Sequence, residues 1–259
     1  MESTAPEHWV NSLGMKFNLV TPGEFLMGSP ETEVRRFADE TLRKVTLTRR
    51  FYMSVFLTTQ AEWRAVTGEN PSKHSLNKRA PVDSVNWYDC AGFIEKLNAD
   101  EYLHEITNYL GDHWRYAFPT EAQWEYCCRA NTRTPYYFGT SVTGAEGLCA
   151  LQTGESGKSK SDRIGRVSTT TEVGQFPANP WGFYDMFGNL CEWTFDYYSD
   201  YDSTKLIDPV CEVVSAEKVA RGGSWNSPPE NCRSASRFNF LSTYRGSNCG
   251  LRIAIVELQ

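Results

Sequence analysis

Metal and redox chemistry would draw on eight Cys and four His. The cysteines are Cys90, Cys127, Cys128, Cys149, Cys191, Cys211, Cys232 and Cys249. No two form a C-x-x-C pair, which argues against a zinc knuckle or a thioredoxin-like site. Eight in 259 residues is sparse for a disulfide framework, although an even number permits bridges. Most are expected to act as small buried apolar side chains. His8, His74, His104 and His113 form no H-x-x-x-H or H-E-x-x-H pattern, which argues against a His-rich iron or zinc site. Counting leaves a Ser-His-Asp triad open, but no G-x-S-x-G elbow is present.

Hard-oxygen chemistry has one candidate. In Gly188-Asn189-Leu190-Cys191-Glu192-Trp193, Asn189 and Glu192 stand three apart among apolar and aromatic residues. A Glu beside Trp193 is not expected to be buried unpaired. Asn189 and Glu192, with backbone carbonyls, would suit a structural Ca²⁺. The alternative is an ion pair from Glu192 to Arg221 or Arg252. The third feature is terminal. Residues 221–252 hold five Arg and one acid, a basic segment in a chain of net charge −6. Interspersed are Trp225, Asn226, Ser227, Asn231, Ser236, Phe238, Asn239, Phe240, Tyr244 and Asn248. Aromatic rings among small polar residues give an adaptable binding surface, with rings as anchors and amides and hydroxyls as hydrogen-bonding groups. The alternative is an ordinary hairpin with Phe238 and Phe240 on one buried face. Gly222 and Gly223 suit positive φ or close backbone approach. Arg233, Arg237 and Arg252 suit the tying of loops.

These residues need elements to hold them. Residues 16–20 and 25–27, joined by a turn at 21–24, suggest a hairpin, and residues 45–48 and 51–57 suggest strands. Thr59 with Glu62 forms a capping box opening a short helix that Gly68 ends. Ser84 or Asn86 caps a second helix through residue 98, with Trp87, Ala91, Ile94 and Leu97 at helical spacing. Thr120 with Gln123 opens a third. From about residue 131 turn formers and isolated aromatics dominate, and the polar stretch 154–166 is expected to be a mobile loop. Residues 1–10 are expected to be a leader or expression remnant. Residues 11–259 are expected to form one domain with two or three helices, short strands and much irregular chain.

Composition sets outer bounds. Acidic residues exceed basic ones by 32 to 26, which argues against a nucleic-acid partner. No apolar run reaches the ~20 residues of a membrane span. The start, as written, is not a signal peptide, which favours the cytoplasm. The aromatic share, 14%, implies a loop-rich fold pinned by rings.

The motifs together resemble the formylglycine-generating enzyme, or sulfatase-modifying factor, family. They run in order. Asn11-Ser12-Leu13-Gly14-Met15-Lys16-Phe17 and Pro22-Gly23-Glu24-Phe25-Leu26-Met27-Gly28-Ser29 open the series. Thr59-Gln60-Ala61-Glu62-Trp63, Asn70-Pro71-Ser72 and Pro81-Val82-Asp83-Ser84-Val85-Asn86-Trp87 follow. Phe118-Pro119-Thr120-Glu121-Ala122-Gln123-Trp124-Glu125-Tyr126 resembles the family's helix motif, and residues 182–193 its most diagnostic segment. Arg221-Gly222-Gly223-Ser224-Trp225 and Gly250-Leu251-Arg252-Ile253-Ala254 resemble its closing pair. The resemblance implies an α+β fold, C-type-lectin-like of the formylglycine-generating type, and a calcium near residue 189.

It also implies a test for catalysis. The family's oxidase is known to hold copper through two cysteines, and thiolates suit that metal. Ser227 stands at the first of those positions. Cys232 falls on the second counted forward, but not counted back from Arg233-Ser234-Ala235-Ser236-Arg237. No copper is therefore expected. The terminal mix looks like the variable region of diversity-generating retroelement proteins, which share the fold. The expected function is a non-catalytic ligand-binding protein, with a protein or other macromolecular ligand at a face built from residues 225–249. A copper-dependent formylglycine-generating oxidase is the first alternative. A sensor or regulatory module of a larger signalling system is the second.

Overall fold

The computed structural model describes residues 6–74, 79–141 and 169–258; the stretch 154–166 lies outside them. In chain order the elements are β1 (His8–Val10), β2 (Lys16–Val20), β3 (Gly23–Met27), β4 (Arg43–Leu47), β5 (Phe51–Ser54), α1 (Gln60–Thr67), α2 (Trp87–Leu97), α3 (Asp100–Leu110), β6 (Trp114–Ala117), α4 (Glu121–Arg129), β7 (Cys191–Tyr197), β8 (Glu217–Arg221), a 3₁₀ turn (Pro229–Cys232), β9 (Arg237–Leu241), β10 (Cys249–Gly250) and β11 (Ala254–Glu257).

Three helices start where side chains close capping boxes. The Thr59 amide donates to Glu62 Oε2 at 2.7 Å, the Asn86 amide to Asp89 Oδ2 at 2.9 Å and the Thr120 amide to Gln123 Oε1 at 2.9 Å. Each cap side chain accepts an amide in return. Gly68 ends α1 at φ 84°. The fourth helix, α3, exceeds the two or three expected. Its N-cap is Ala99, which makes no side-chain cap, so its start carries no local signal. Packing holds it instead, with Ile106 fully buried and Tyr102 and Leu110 against the core.

A five-stranded antiparallel sheet has the order β1-β2-β5-β11-β6. The last strand therefore lies between β5 and β6. Residues 8–10 are part of this sheet: Trp9 pairs with Phe17 and is buried against it. A four-stranded sheet has the order β10-β7-β8-β9, with β10 parallel to β7 and the other pairs antiparallel. β3 and β4 form a separate ribbon. One core joins Phe17, Tyr52, Trp114 and Ile255 of the first sheet to Cys90, Phe93 and Leu97 of α2 and Trp193 of the second sheet. Aromatic contacts fix the layers: Trp63 stacks on Phe93 at 4.7 Å and Trp87 on Phe118 at 4.7 Å.

Asp196, in β7, ties a helix to a loop. Its carboxylate accepts the first amide of α4, at Glu121 (2.7 Å), and the Cys211 amide (2.8 Å). Burial, followed by repulsion from the Glu121 carboxylate, pushes its pKa from 3.8 up to about 7. The folded state thus holds this proton more tightly than the unfolded chain. The resulting stabilisation is full below pH 3.8 and is lost as pH rises to about 7. Urea unfolding of Asp196→Asn should reveal it. Relative to the variant, the wild type should lose stability across that window and then run parallel. Curves parallel throughout would show that Asp196 titrates normally.

Candidate ligand-binding face

Buried arginines position the terminal segment. Arg221, at the end of β8, is ion-paired with Glu125 and lies 3.4 Å from Glu121 Oε1. It also donates to the carbonyls of Ser234 (2.7 Å), Ala235 (3.0 Å) and Ser236 (2.8 Å). Arg233 donates to both oxygens of Glu40, at 2.5 and 2.8 Å, and to Glu33 at 2.5 Å. Arg237 grips both oxygens of Glu121, at 2.6 and 2.9 Å. The partners are carboxylates on α4 and in the β3–β4 connection, so these guanidiniums tie loops as their donor number suggested. Gly223, at φ 70°, has no room for a side chain: a Cβ would lie 2.2 Å from Cys232 Sγ.

On this frame the expected contact residues separate. One group is continuous. Phe238 stacks with Phe240 (6.1 Å, 15°) and Phe240 with Tyr244 (4.9 Å, 20°). The Tyr244 hydroxyl donates to Asn248 Oδ1 at 3.1 Å. Next to Asn248, the Ser247 carbonyl accepts from Trp225 Nε1 at 3.1 Å. The row ends where Trp225 meets His74 edge-on, 5.2 Å between centroids. Asn226 is exposed beside Trp225, and its Oδ1 accepts from the Ser224 hydroxyl at 2.7 Å. Tyr244 is 40% exposed, while Phe238, Phe240, Trp225 and Asn248 are half-buried. The two Phe rings share a face with Trp193, so their inner edges are core and their outer edges surface. The inner edges match the buried face that the hairpin alternative expects.

The remaining residues fall elsewhere. Ser227 and Ser236 are buried, at 8% and 1% exposure, and are not available to a partner. Ser227 turns inward to accept the Ser224 amide at 3.1 Å. Asn239 is exposed on the opposite side of β9, donating to Glu217 at 2.9 Å. Asn231 lies on the 3₁₀ turn, whose Pro229 and Glu230 line a separate groove of about 480 Å³ with Pro30, Arg133 and Tyr136. Two surface residues were not among the expected contact residues. Tyr88 is 58% exposed beside Trp87, and its hydroxyl accepts from Ser242 at 3.3 Å. Its place off the apolar stripe of α2 was the available signal. Arg245 forms a bidentate pair with Asp89, at 2.7 and 2.8 Å, and so joins the loop to α2.

The Asn189 and Glu192 positions do not form a calcium cradle. Glu192 Oε2 accepts from Trp124 Nε1 (2.7 Å) and Arg252 Nε (2.8 Å), and Oε1 from Arg252 Nη2 (2.8 Å). Both oxygens face donors, two of them on a cation, so the donor set opposes a metal ion. The ion pair to Arg252 is the arrangement present. Asn189 instead exchanges hydrogen bonds with the Thr171 backbone, at 3.1 and 3.3 Å. Among the described residues, no three His, Cys, Asp or Glu side chains converge to hold a metal. A buried carboxylate with an unpartnered oxygen does occur nearby, at Asp185, whose pKa burial pushes up to about 6. Cys232 is buried beneath Gly223, with its sulfur 3.7 Å from the Pro228 carbonyl. Among the described residues, no helix is long and apolar enough to cross a membrane.

Comparison with known proteins adds context. A model of the sulfatase-modifying factor enzyme 1-like domain matches residues 6–256. The chain is 25% identical over 257 residues to chaperone protein LppX of Paenibacillus barcinonensis, covering 87% of this chain and 86% of that one. It is 24% identical to the formylglycine-generating enzyme of Mus musculus, across 92% of this chain and 74% of the enzyme. Variable protein 1 of Treponema denticola superposes with a TM-score of 0.79 at 22% identity, covering 96% of this chain and 99% of that one. These likenesses place the fold among the C-type-lectin-like folds of the formylglycine-generating type.

Removing one partner of a fully buried ion pair leaves an uncompensated charge. Arg252→Ala should therefore cost about 3–5 kcal/mol in chemical denaturation. Lys44→Ala, which breaks an exposed pair with Glu24, should leave the midpoint nearly unchanged. Equal effects would refute the role given to Arg252.

Proposed function

The chain belongs to the sulfatase-modifying factor enzyme 1-like family, and from that premise we propose that it is a non-catalytic ligand-binding protein. Its binding face is the row from Trp225 and Asn226 through Asn248 and Tyr244 to Phe240 and Phe238. The observation that carries this is the continuity of the row across two loops and a strand, on a frame held by buried guanidiniums. Half-buried rings suit such a face, because they are already immobilised and lose little freedom on binding. The ligand is a protein or another macromolecule, since the row is a surface strip rather than an enclosed pocket. Ser227, Ser236, Asn231 and Asn239 are not part of it.

The absence of paired thiols at the oxidase positions supports the non-catalytic side of this proposal. Ser227 offers a hydroxyl engaged with Ser224 Oγ at 3.0 Å, and Cys232 lies under the backbone of Gly223. A hydroxyl is a poor ligand for the soft metal that two thiolates would hold. The relation to the formylglycine-generating enzyme of Mus musculus keeps the oxidase as the competing proposal.

Two measurements decide between them. In a binding screen, Trp225→Ala, Phe238→Ala and Tyr244→Ala should each weaken capture of the partner by about tenfold or more. Glu212→Ala, a surface change outside the row, should not. Unchanged capture by all three aromatic variants would sink the assignment. Separately, incubation with a Cys-containing sulfatase peptide and copper should leave the peptide mass unaltered. Conversion of its thiol to an aldehyde would establish the oxidase instead.

A further inference from the structure

Two thiols outside the proposed face stand side by side. β10 runs parallel to β7, and the register places Cys249 directly opposite Cys191. Directly paired residues on neighbouring strands point to the same side of the sheet. Strand separation of about 4.8 Å falls within the Cα spacing that a disulfide accepts. Both residues are buried, at 1% or less. The Cys249 thiol interacts with that of Cys191, and burial pushes its pKa well above the usual range. A third thiol, Cys90 on α2, approaches Cys249 from the helical side.

We propose that Cys191 and Cys249 form a redox-active dithiol, closing to a cross-strand disulfide that latches the terminal segment to β7. A buried, protonated thiol is unreactive, so exchange requires opening. β10 allows that. It is an edge strand of two residues, and it follows directly on Ser247 and Asn248. When it lifts, Cys249 ionises and attacks a low-molecular-weight disulfide such as oxidised glutathione. One glutathione thiolate leaves, and Cys249 carries the other half as a mixed disulfide. Cys191 then loses its proton, and its sulfur displaces the second glutathione thiolate. The two cysteines give up two electrons and two protons, and the small disulfide becomes two thiols. The closed bond encloses residues 191–249, and with them β8, β9 and the loop that carries Tyr244. The chemistry stands without any ligand at the face; only the latch's consequence for binding rests on the proposed function.

Equilibration of the full-length protein in glutathione buffers, from reducing to oxidising, tests this. Acid quenching, alkylation and intact mass count the free thiols, and peptide mapping locates the bond. Of the eight cysteines, two should disappear together at one midpoint, joined as Cys191–Cys249. Cys249→Ser and Cys191→Ser should each keep every remaining thiol free, while Cys90→Ser should keep the bond. On the wild type alone, trypsin cleavage after Arg245, whose side chain is 60% exposed, should slow by at least about fivefold on oxidation. Eight free thiols at the most oxidising poise, or a bond that includes Cys90, would overturn the proposal. Either result would leave the binding-face assignment untouched, and failure of the binding screen would leave the dithiol untouched.

Discussion

Arg221 is a cation with no route to water, and α4 supplies the carboxylates that balance it. Glu125 pairs with it directly, Glu121 lies beside it, and each carboxylate is shared with a second guanidinium, Arg129 or Arg237. Isolated burial of any of these charges would be prohibitive. Together they form a lattice in which every charge has an opposite neighbour, and burial raises the cost of any displaced arrangement. The lattice joins α4, the end of β8 and the start of β9. A loop arranged otherwise would strand a charge in the core. The gain is a fixed geometry more than net stability, since apolar replacements of buried pairs are often as stable.

The same arrangement divides the aromatic residues. Trp63, Trp124 and Trp193 lie within the frame, at 4% exposure or less. Trp124 also donates to the buried Glu192, so it serves the electrostatics as well as the packing. Phe240 stands between the two populations. One side of its ring meets Trp193, and the other continues the stack to Tyr244. The row of rings is therefore an outward extension of the core, with Phe240 held on its inner side by Trp193.

Much of the frame was legible because its signals are local. The capping pairs Thr59–Glu62, Asn86–Asp89 and Thr120–Gln123 lie three residues apart, and each forms in the structure. The role of the arginines followed from donor number, and the family from the order of motifs. What was not legible depends on contacts distant in sequence. Glu192 had two candidate partners, and only the folded chain brings Arg252 to it, sixty positions away. Ser227 and Ser236 have the composition of surface residues, yet the Ser227 hydroxyl turns in to the Ser224 amide and the Ser236 carbonyl is held by Arg221. Asn239 lies between two face residues in sequence but on the other side of the strand, as alternation requires once β9 is known to be extended. α3 and β1 have weak local signals and are held by packing.

Two of the arginines act largely through main-chain oxygens. Arg221 binds three consecutive carbonyls, and Arg252 binds those of Ser54, Val55 and Tyr184. A carbonyl is present whatever side chain the residue carries. The clamp thus fixes the path of the chain through atoms that every residue supplies, while the burial of Ser234, Ala235 and Ser236 keeps the side chains at those positions small.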